Sequence, residues 1–320
     1  MIGGLIYGQD AHFSQFYNSQ LSLNPALTGS SIGNTRLTAN YRNQWGSVSK
    51  FQNMAFAADM SIFDKEGDNF GGVGLYAVNE QAGVNGFSIS KVFGSFAYHN
   101  AISKNAYLAF GAQTGIYSIG YNSSDITTDA MWQNGFDETA TNGENFETGS
   151  QTSLDINAGL LYYSFIGDKG MLFAGASAFH LLKPSNSFLE GEASEVPRKF
   201  LFHTGLKYAI NDDFNLFPKV IFMTQGGANE LNLGTSVEYD ISDHIYKVFA
   251  VGLWYRNKDA VIAMASVEYN NIKIGISYDI NTSDLSSVTN NRGGLELSLT
   301  YNIPKPNKRT TNLTPHNPRY

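Results

Sequence analysis

The side chains that could carry chemistry are scattered along this 320-residue chain, and their spacing argues against most reactions they could support. The six histidines, His12, His99, His180, His203, His244 and His316, include no HExxH and no close-spaced pair able to share a metal. There is no cysteine, which removes thiolate catalysis, thiolate metal sites, disulfides and a lipidated anchor. Ser177 and His180 are near in sequence, but an interval of three on an extended strand is expected to put them on opposite faces, not side by side as nucleophile and base. The acidic stretch holding Asp125, Asp129, Asp137, Glu138, Glu144 and Glu147 lacks the D-x-[DN]-x-[DN]-G order of a calcium loop and reads as a solvated surface loop. No catalytic group, metal or cofactor is expected. A net charge of -7 argues against nucleic acid as a partner.

The remaining polar groups point to a structural task. Arg36 and Arg42 lie in a segment where Leu37, Ala39 and Tyr41 alternate with Arg36, Thr38, Asn40 and Arg42, giving a strand with one apolar and one polar face. Similar faces carry Asp59, Asp155, Glu238, Asp279 and Glu296. These charges either form a network that braces a filled interior or line a passage. Buried charges are normally paired, which favours bracing and a closed pore.

The elements that must position them are strands. Only 15% of residues are charged, Gly 32, Tyr 18 and Phe 22 are high, and no apolar run is long enough to cross a bilayer as a helix. Fourteen segments of roughly 9 to 16 residues read as strands. Their centres fall near Ala39, Ala57, Leu75, Phe93, Gly111, Ala158, Ala174, His203, Pro218, Gly234, Val251, Ala263, Ile276 and Leu297. Ile272, Ile274, Ile276, Tyr278 and Ile280 share a face, as do Leu295, Leu297, Leu299, Tyr301 and Ile303. The fold class expected is all-β, a 14-stranded antiparallel transmembrane β-barrel of the outer membrane, with these faces on lipid and the charges inside. The connections agree. Tight polar turns at Asp64 to Asp68, Ser103 to Asn105, Gly167 to Gly170, Asn211 to Asp213, Ser242 to His244 and Asn270-Asn271 are even-numbered, whereas the long connections Asn122 to Gln151, Lys183 to Pro197 and Asn281 to Asn291 are odd-numbered. That arrangement predicts long loops outside the cell and both termini in the periplasm. Pro218 cannot donate a ladder hydrogen bond, so a bulge or a later strand start is expected there.

Three motifs carry a family resemblance: QDAHFSQFY from Gln9 to Tyr17, LNPALTG from Leu23 to Gly29, and NYRNQW from Asn40 to Trp45. They resemble the opening of the PorP/SprF family of outer-membrane proteins of the Bacteroidetes type IX secretion system, and Ile274 to Tyr301 resembles that family's closing hairpin. The resemblance implies a non-enzymatic component of type IX secretion in the outer membrane of a Gram-negative bacterium. Such a protein would bind a large secreted adhesin through its C-terminal sorting domain and support its export, its surface anchoring and gliding motility. It would alternatively contact the periplasmic secretion machinery. The rival class is a passive porin or small-molecule transporter, which needs an open lumen.

The organisation expected is a signal-peptide remnant at 1–8, a periplasmic or lumen-plugging segment at 9–34, the barrel at 35–303 and a periplasmic tail at 304–320. His12, Phe13, Phe16 and Tyr17 would be costly to leave together in water and are expected against the inner rim or lumen wall, with Asn24 and Pro25 turning the chain into the first strand. Two further places are candidate partner contacts. One is Trp132 and Phe136 in the acidic loop. The other is Pro318, Arg319 and Tyr320 at the tail, where Asn317 stands in place of the family's cysteine.

Overall fold

A computed structural model describes residues 10–31, 34–44, 51–63, 69–83, 87–121, 132, 149–185, 194–243, 245–283, 286–289 and 291–304. Alternation of apolar and polar residues sets the strands. They are β1 Thr35–Gln44, β2 Phe51–Phe63, β3 Asn69–Ala82, β4 Phe87–Ala101, β5 Ala106–Tyr121, β6 Gly149–Ile166, β7 Gly170–Phe179, β8 Lys199–Ala209, β9 Phe214–Gln225, β10 Ala228–Asp243, β11 Ile245–Arg256, β12 Ala260–Tyr269, β13 Ile272–Asn281 and β14 Arg292–Ile303. Every neighbour pairs antiparallel, and β1 pairs with β14 from Thr35↔Ile303 to Gln44↔Gly294, so the sheet closes into a 14-stranded barrel. Closure leaves no strand edge exposed, as a sheet in hydrocarbon requires.

The outer surface is the apolar face of each alternating strand. Ile274, Ile276, Leu297 and Leu299 are all exposed on it, as are Phe200 and Phe202 on β8. The connections of residues 122–148, 180–198 and 282–291 share one rim with the short β9–β10 turn at Gly226 and Gly227. The opposite rim carries the turns at 102–105, 167–169, 210–213 and 270–271, the start of β1 and the end of β14.

Two expectations about local geometry need correcting. Pro218 causes neither a bulge nor a late start, because β9 begins at Phe214 and stays in register with β10 through Thr235↔Pro218. The loss is taken on the other side. The β8–β9 ladder stops at Gly205↔Lys219 and resumes in the same register at Tyr208↔Leu216, leaving a gap opposite the proline. Ser177 and His180 both face the interior. His180 is the first residue after β7 and has φ 57, a left-handed turn that reverses the strand's alternation.

The interior is filled by the chain's own beginning. Residues 10–31 run through the lumen as two short 3-10 turns, Phe16–Asn18 and Pro25–Leu27, around a one-turn helix, Gln20–Leu23. Asp10 contacts Lys199 and Gln225 near the long-loop rim, Asn24 lies beside Leu160 and His203 at mid-height, and Gly29 meets Asp59 near the other rim. An even strand count does put the start of β1 and the end of β14 at one rim. The segment before β1 nevertheless crosses the lumen, so Asp10 and Ile303 lie near opposite rims, while the two ends of the chain, expected on one side, lie outside the described residues.

Candidate functional site: the plug and the wall it docks on

The plug has two chemically distinct sides, and the wall matches each. Phe16, Tyr17, Leu23, Ala26 and Leu27 pack with Leu161, Tyr163, Phe173, Phe217, Ile221 and Trp254, which point inward from β6, β7, β9 and β11. Tyr17 meets Phe173 edge-on at 5.9 Å between ring centroids. Phe13 and Leu21 pack in a second cluster with Tyr76, Val78 and Phe93. Burial of an aromatic or leucine side chain stabilises by roughly 1.5 to 3 kcal/mol, so these rings supply much of the plug's hold.

On the polar side, β1, β13 and β14 present charges. Glu296 accepts from the backbone N–H groups of Ser14 and Gln15 at 2.6 and 2.9 Å, and Ser14 donates to Asp279 at 2.9 Å. Arg42 pairs with Asp279 at 2.7 Å and Glu296 at 3.3 Å, while Arg256 reaches the same Asp279 oxygen at 3.1 Å. Arg42 and Arg256 both donate to Ser14 Oγ. All four charges are buried and each is paired, which is what makes ionised groups tolerable there.

The charged residues expected to form one network fall into separate clusters. Arg36 holds Asp59 with two hydrogen bonds of 2.8 and 2.9 Å and also donates to the Leu27 carbonyl. Asp59 in turn accepts from the Gly29 N–H. Glu238 pairs with Lys207 on the far wall. Asp155 accepts from His180 at 2.6 Å, and the other His180 ring nitrogen meets Asp10 at 2.7 Å. Burial alone would lower the His180 pKa, but Asp10 and Asp155 overcome it and raise the value. Burial likewise opposes ionisation of Asp10, yet His180, Lys91 and Lys199 hold its carboxyl well below the usual range. Ser177 donates to the Leu23 carbonyl at 2.8 Å, and both His180 nitrogens are taken by carboxylates, so the pair has no nucleophile arrangement.

Asn24 and Pro25 sit on a floor without side chains. The Asn24 side-chain Oδ1 accepts from Ala26 N–H at 2.9 Å and its side-chain Nδ2 donates to Leu160 O at 3.0 Å. A methyl group at Gly111 would overlap the Pro25–Ala26 peptide, and one at Gly159 would overlap the Asn24 side chain. Gly29, at φ +71, lies against Gly72 so closely that a Cβ on either would strike the other's backbone. The sequence LNPALTG is thus a docking strip for paired glycines on β3, β5 and β6.

Of the other predicted site residues, His12 stacks on Phe16 with centroids 6.2 Å apart, and its Nε2 lies 3.2 Å from Glu230. Trp132 is 67% exposed. Phe136, Pro318, Arg319 and Tyr320 lie outside the described residues, as do residues 1–8, expected as a signal-peptide remnant, and the residues beyond Pro304. Reading the sequence missed Asp10, Ser14, Lys91, Arg256 and Lys219. Lys91 and Arg256 were recoverable, since each sits on the inward phase of an alternating strand. No group of three or more histidine and carboxylate residues among the described residues could hold a metal ion.

A closed 14-stranded barrel with a lipid-ready exterior and a lumen packed by its own N-terminal segment defines an outer-membrane β-barrel protein. Solved structures show the same fold: a FadL homologue from Pseudomonas aeruginosa (TM-score 0.53, 12% identity, covering 88% of this chain and 93% of that one) and the toluene transporter TbuX from Ralstonia pickettii (TM-score 0.50, 11% identity, covering 89% and 92%). The monoaromatic hydrocarbon channel CymD is similar too (TM-score 0.52, 10% identity, covering 93% and 95%). Among curated proteins none matches the chain. The chain belongs to the PorP/SprF family of type IX secretion system membrane proteins, whose profile spans residues 5–301.

Proposed function

We propose that this protein is a non-enzymatic outer-membrane partner of a large secreted adhesin in type IX secretion. It binds the adhesin's C-terminal sorting domain and supports export, surface anchoring and gliding motility. Family membership supports the setting, and the plugged lumen supports the role. The observation that carries it is that residues 13–31 are almost wholly buried inside the barrel, where two cavities beside them among the described residues measure about 50 and 20 Å³. Such spaces take one or a few waters, so the surfaces left for work are the rims. In this reading the long-loop rim faces outward and receives the adhesin, and the rim carrying Ile303 faces the periplasm and is free to contact the secretion machinery.

The test is a pull-down of the tagged barrel from detergent-solubilised outer membrane, paired with conductance in liposomes. The expected result is co-purification of a large secreted protein that is lost when its sorting domain is deleted, with no steady conductance. Stable conductance without any secreted partner would instead establish a passive channel.

A further inference from the structure

At the long-loop rim β6 stands taller than the strand beside it. Its ladder with β5 continues up to Tyr121↔Gly149, whereas its ladder with β7 stops at Ala158↔Ala178, so residues 149–157 have a strand on one side only. The lower end of the open side is closed locally: Leu181 N–H donates to the Ile156 carbonyl at 3.0 Å, and Ile156 N–H turns back to Asp155 Oδ1 at 2.8 Å. Residues two apart on a strand direct their backbone groups to the same side, so the N–H and C=O of Ser150, Thr152 and Leu154 face that opening. Among the described residues no backbone group pairs with them; the contact beside them is Ser185 N–H on the Ser153 side chain at 3.3 Å.

The height of this edge takes it out of lipid. On the outer face Ile116 and Leu154 sit opposite each other and are exposed, and two residues higher Ser118 and Thr152 meet through their hydroxyls at 3.0 Å. An apolar belt that gives way to hydroxyls marks where the wall leaves the bilayer, and hydrocarbon would not tolerate an open edge. Edges in water are ordinarily blunted by lysine, proline or a bulge, and residues 149–154, GSQTSL, carry none of these.

We propose that this edge takes up, as an added antiparallel strand, one extended segment of the secreted partner inferred above, flanked by lysine or arginine; the proposal rests on that reading of the function. The backbone selects an extended chain. Charge selects its flanks, because residues 122–148, which lead into β6, hold six acidic residues and no lysine or arginine, and residues 186–193 add Glu190 and Glu192. The same charge disfavours residues 186–193 as the occupant. A second copy in the same membrane presents its β6 running in the same direction, so two such edges meet only in parallel, the less stable pairing.

The experiment places the purified full-length barrel in nanodiscs with a capped peptide of alternating threonine and valine that has lysine at both ends. Saturable binding is expected, with hydrogen exchange at the Ser150, Thr152 and Leu154 amides slowed about tenfold. Glutamate in place of both lysines should weaken binding about tenfold, and a peptide N-methylated throughout should not bind. Thr152→Pro takes no bond from the β5–β6 ladder, so its barrel should stay heat-modifiable while peptide binding is lost. Unslowed amides, or equal binding by Thr152→Pro or by the glutamate peptide, would overturn the proposal. So would protection without peptide that vanishes when residues 186–193 are deleted, or a disulfide-linked dimer of Thr152→Cys. Should Thr152→Pro fail to fold, the N-methylated peptide on the wild type decides the matter. On cells, a secreted protein captured equally by wild type and Thr152→Pro would keep the function proposed above and reject the edge, whereas capture by neither would reject that function and leave the peptide result to decide the edge.

Discussion

Arg42 is the residue on which the polar half of the plug turns, because it faces Asp279, Glu296 and Ser14 at once. Replacing it with methionine leaves two buried carboxylates with only Arg256 nearby, and should cost about 3 to 5 kcal/mol, read from urea unfolding in micelles. An unchanged midpoint would show that the cluster is solvated. His180 gives a pH dependence. Its value is raised by Asp10 and Asp155, against the neighbouring positive charge of Lys91, so its stabilisation is complete below about pH 6.5 and is lost as pH rises through the raised value. Asp10 is depressed, so its share is present above about pH 4 and is lost only as pH falls through the lowered value. The melting difference between wild type and His180→Gln should therefore be largest near about pH 5 to 6 and shrink as pH rises through the raised value.

Strands were legible because lipid enforces alternation on their outer face, and all fourteen centres fall inside the observed elements. The inner face obeys a different rule. It is polar at β1, β13 and β14 but apolar at Leu161, Tyr163, Phe173, Phe217 and Ile221, because those positions meet the plug and not water. Segments apolar on both faces, such as Leu160 to Phe165, were the available signal of a filled lumen. The partners within it were not readable, since contacts such as Ser14 with Asp279 join residues far apart in sequence. A consequence is that the inner face tolerates less than alternation suggests. Leu297→Arg should cost about 2 to 4 kcal/mol near mid-membrane. Ser298→Arg should cost about as much, because Ser298 bonds Gln15 and Asn18 of the plug; comparable loss of the heat-modifiable band in both variants is expected. Gly159→Ala should overpack the Asn24 seat by about 1 to 3 kcal/mol and increase labelling of a cysteine placed at Ser22.

At the scale of the molecule, the proposed orientation predicts that a protease site inserted between Gly226 and Gly227 is cut on intact cells and one between Asp212 and Asp213 is not. Reversed cutting would invert the assignment of the rims. The plug also bears on how the barrel comes to exist. The seam between β1 and β14 joins the most distant strands in the chain and is the slowest pairing to find by search. Ser14 and Gln15 hold Glu296 of β14, while Ser14 also accepts from Arg42 of β1, so the plug grips both lips of that seam. A plug docked early would hold those two edges in register and so act as a mandrel on which the sheet is rolled. A chain lacking residues 10–31 should accumulate as an open, unlatched sheet, with the β1 and β14 edges exposed to the proteases that clear unfinished barrels.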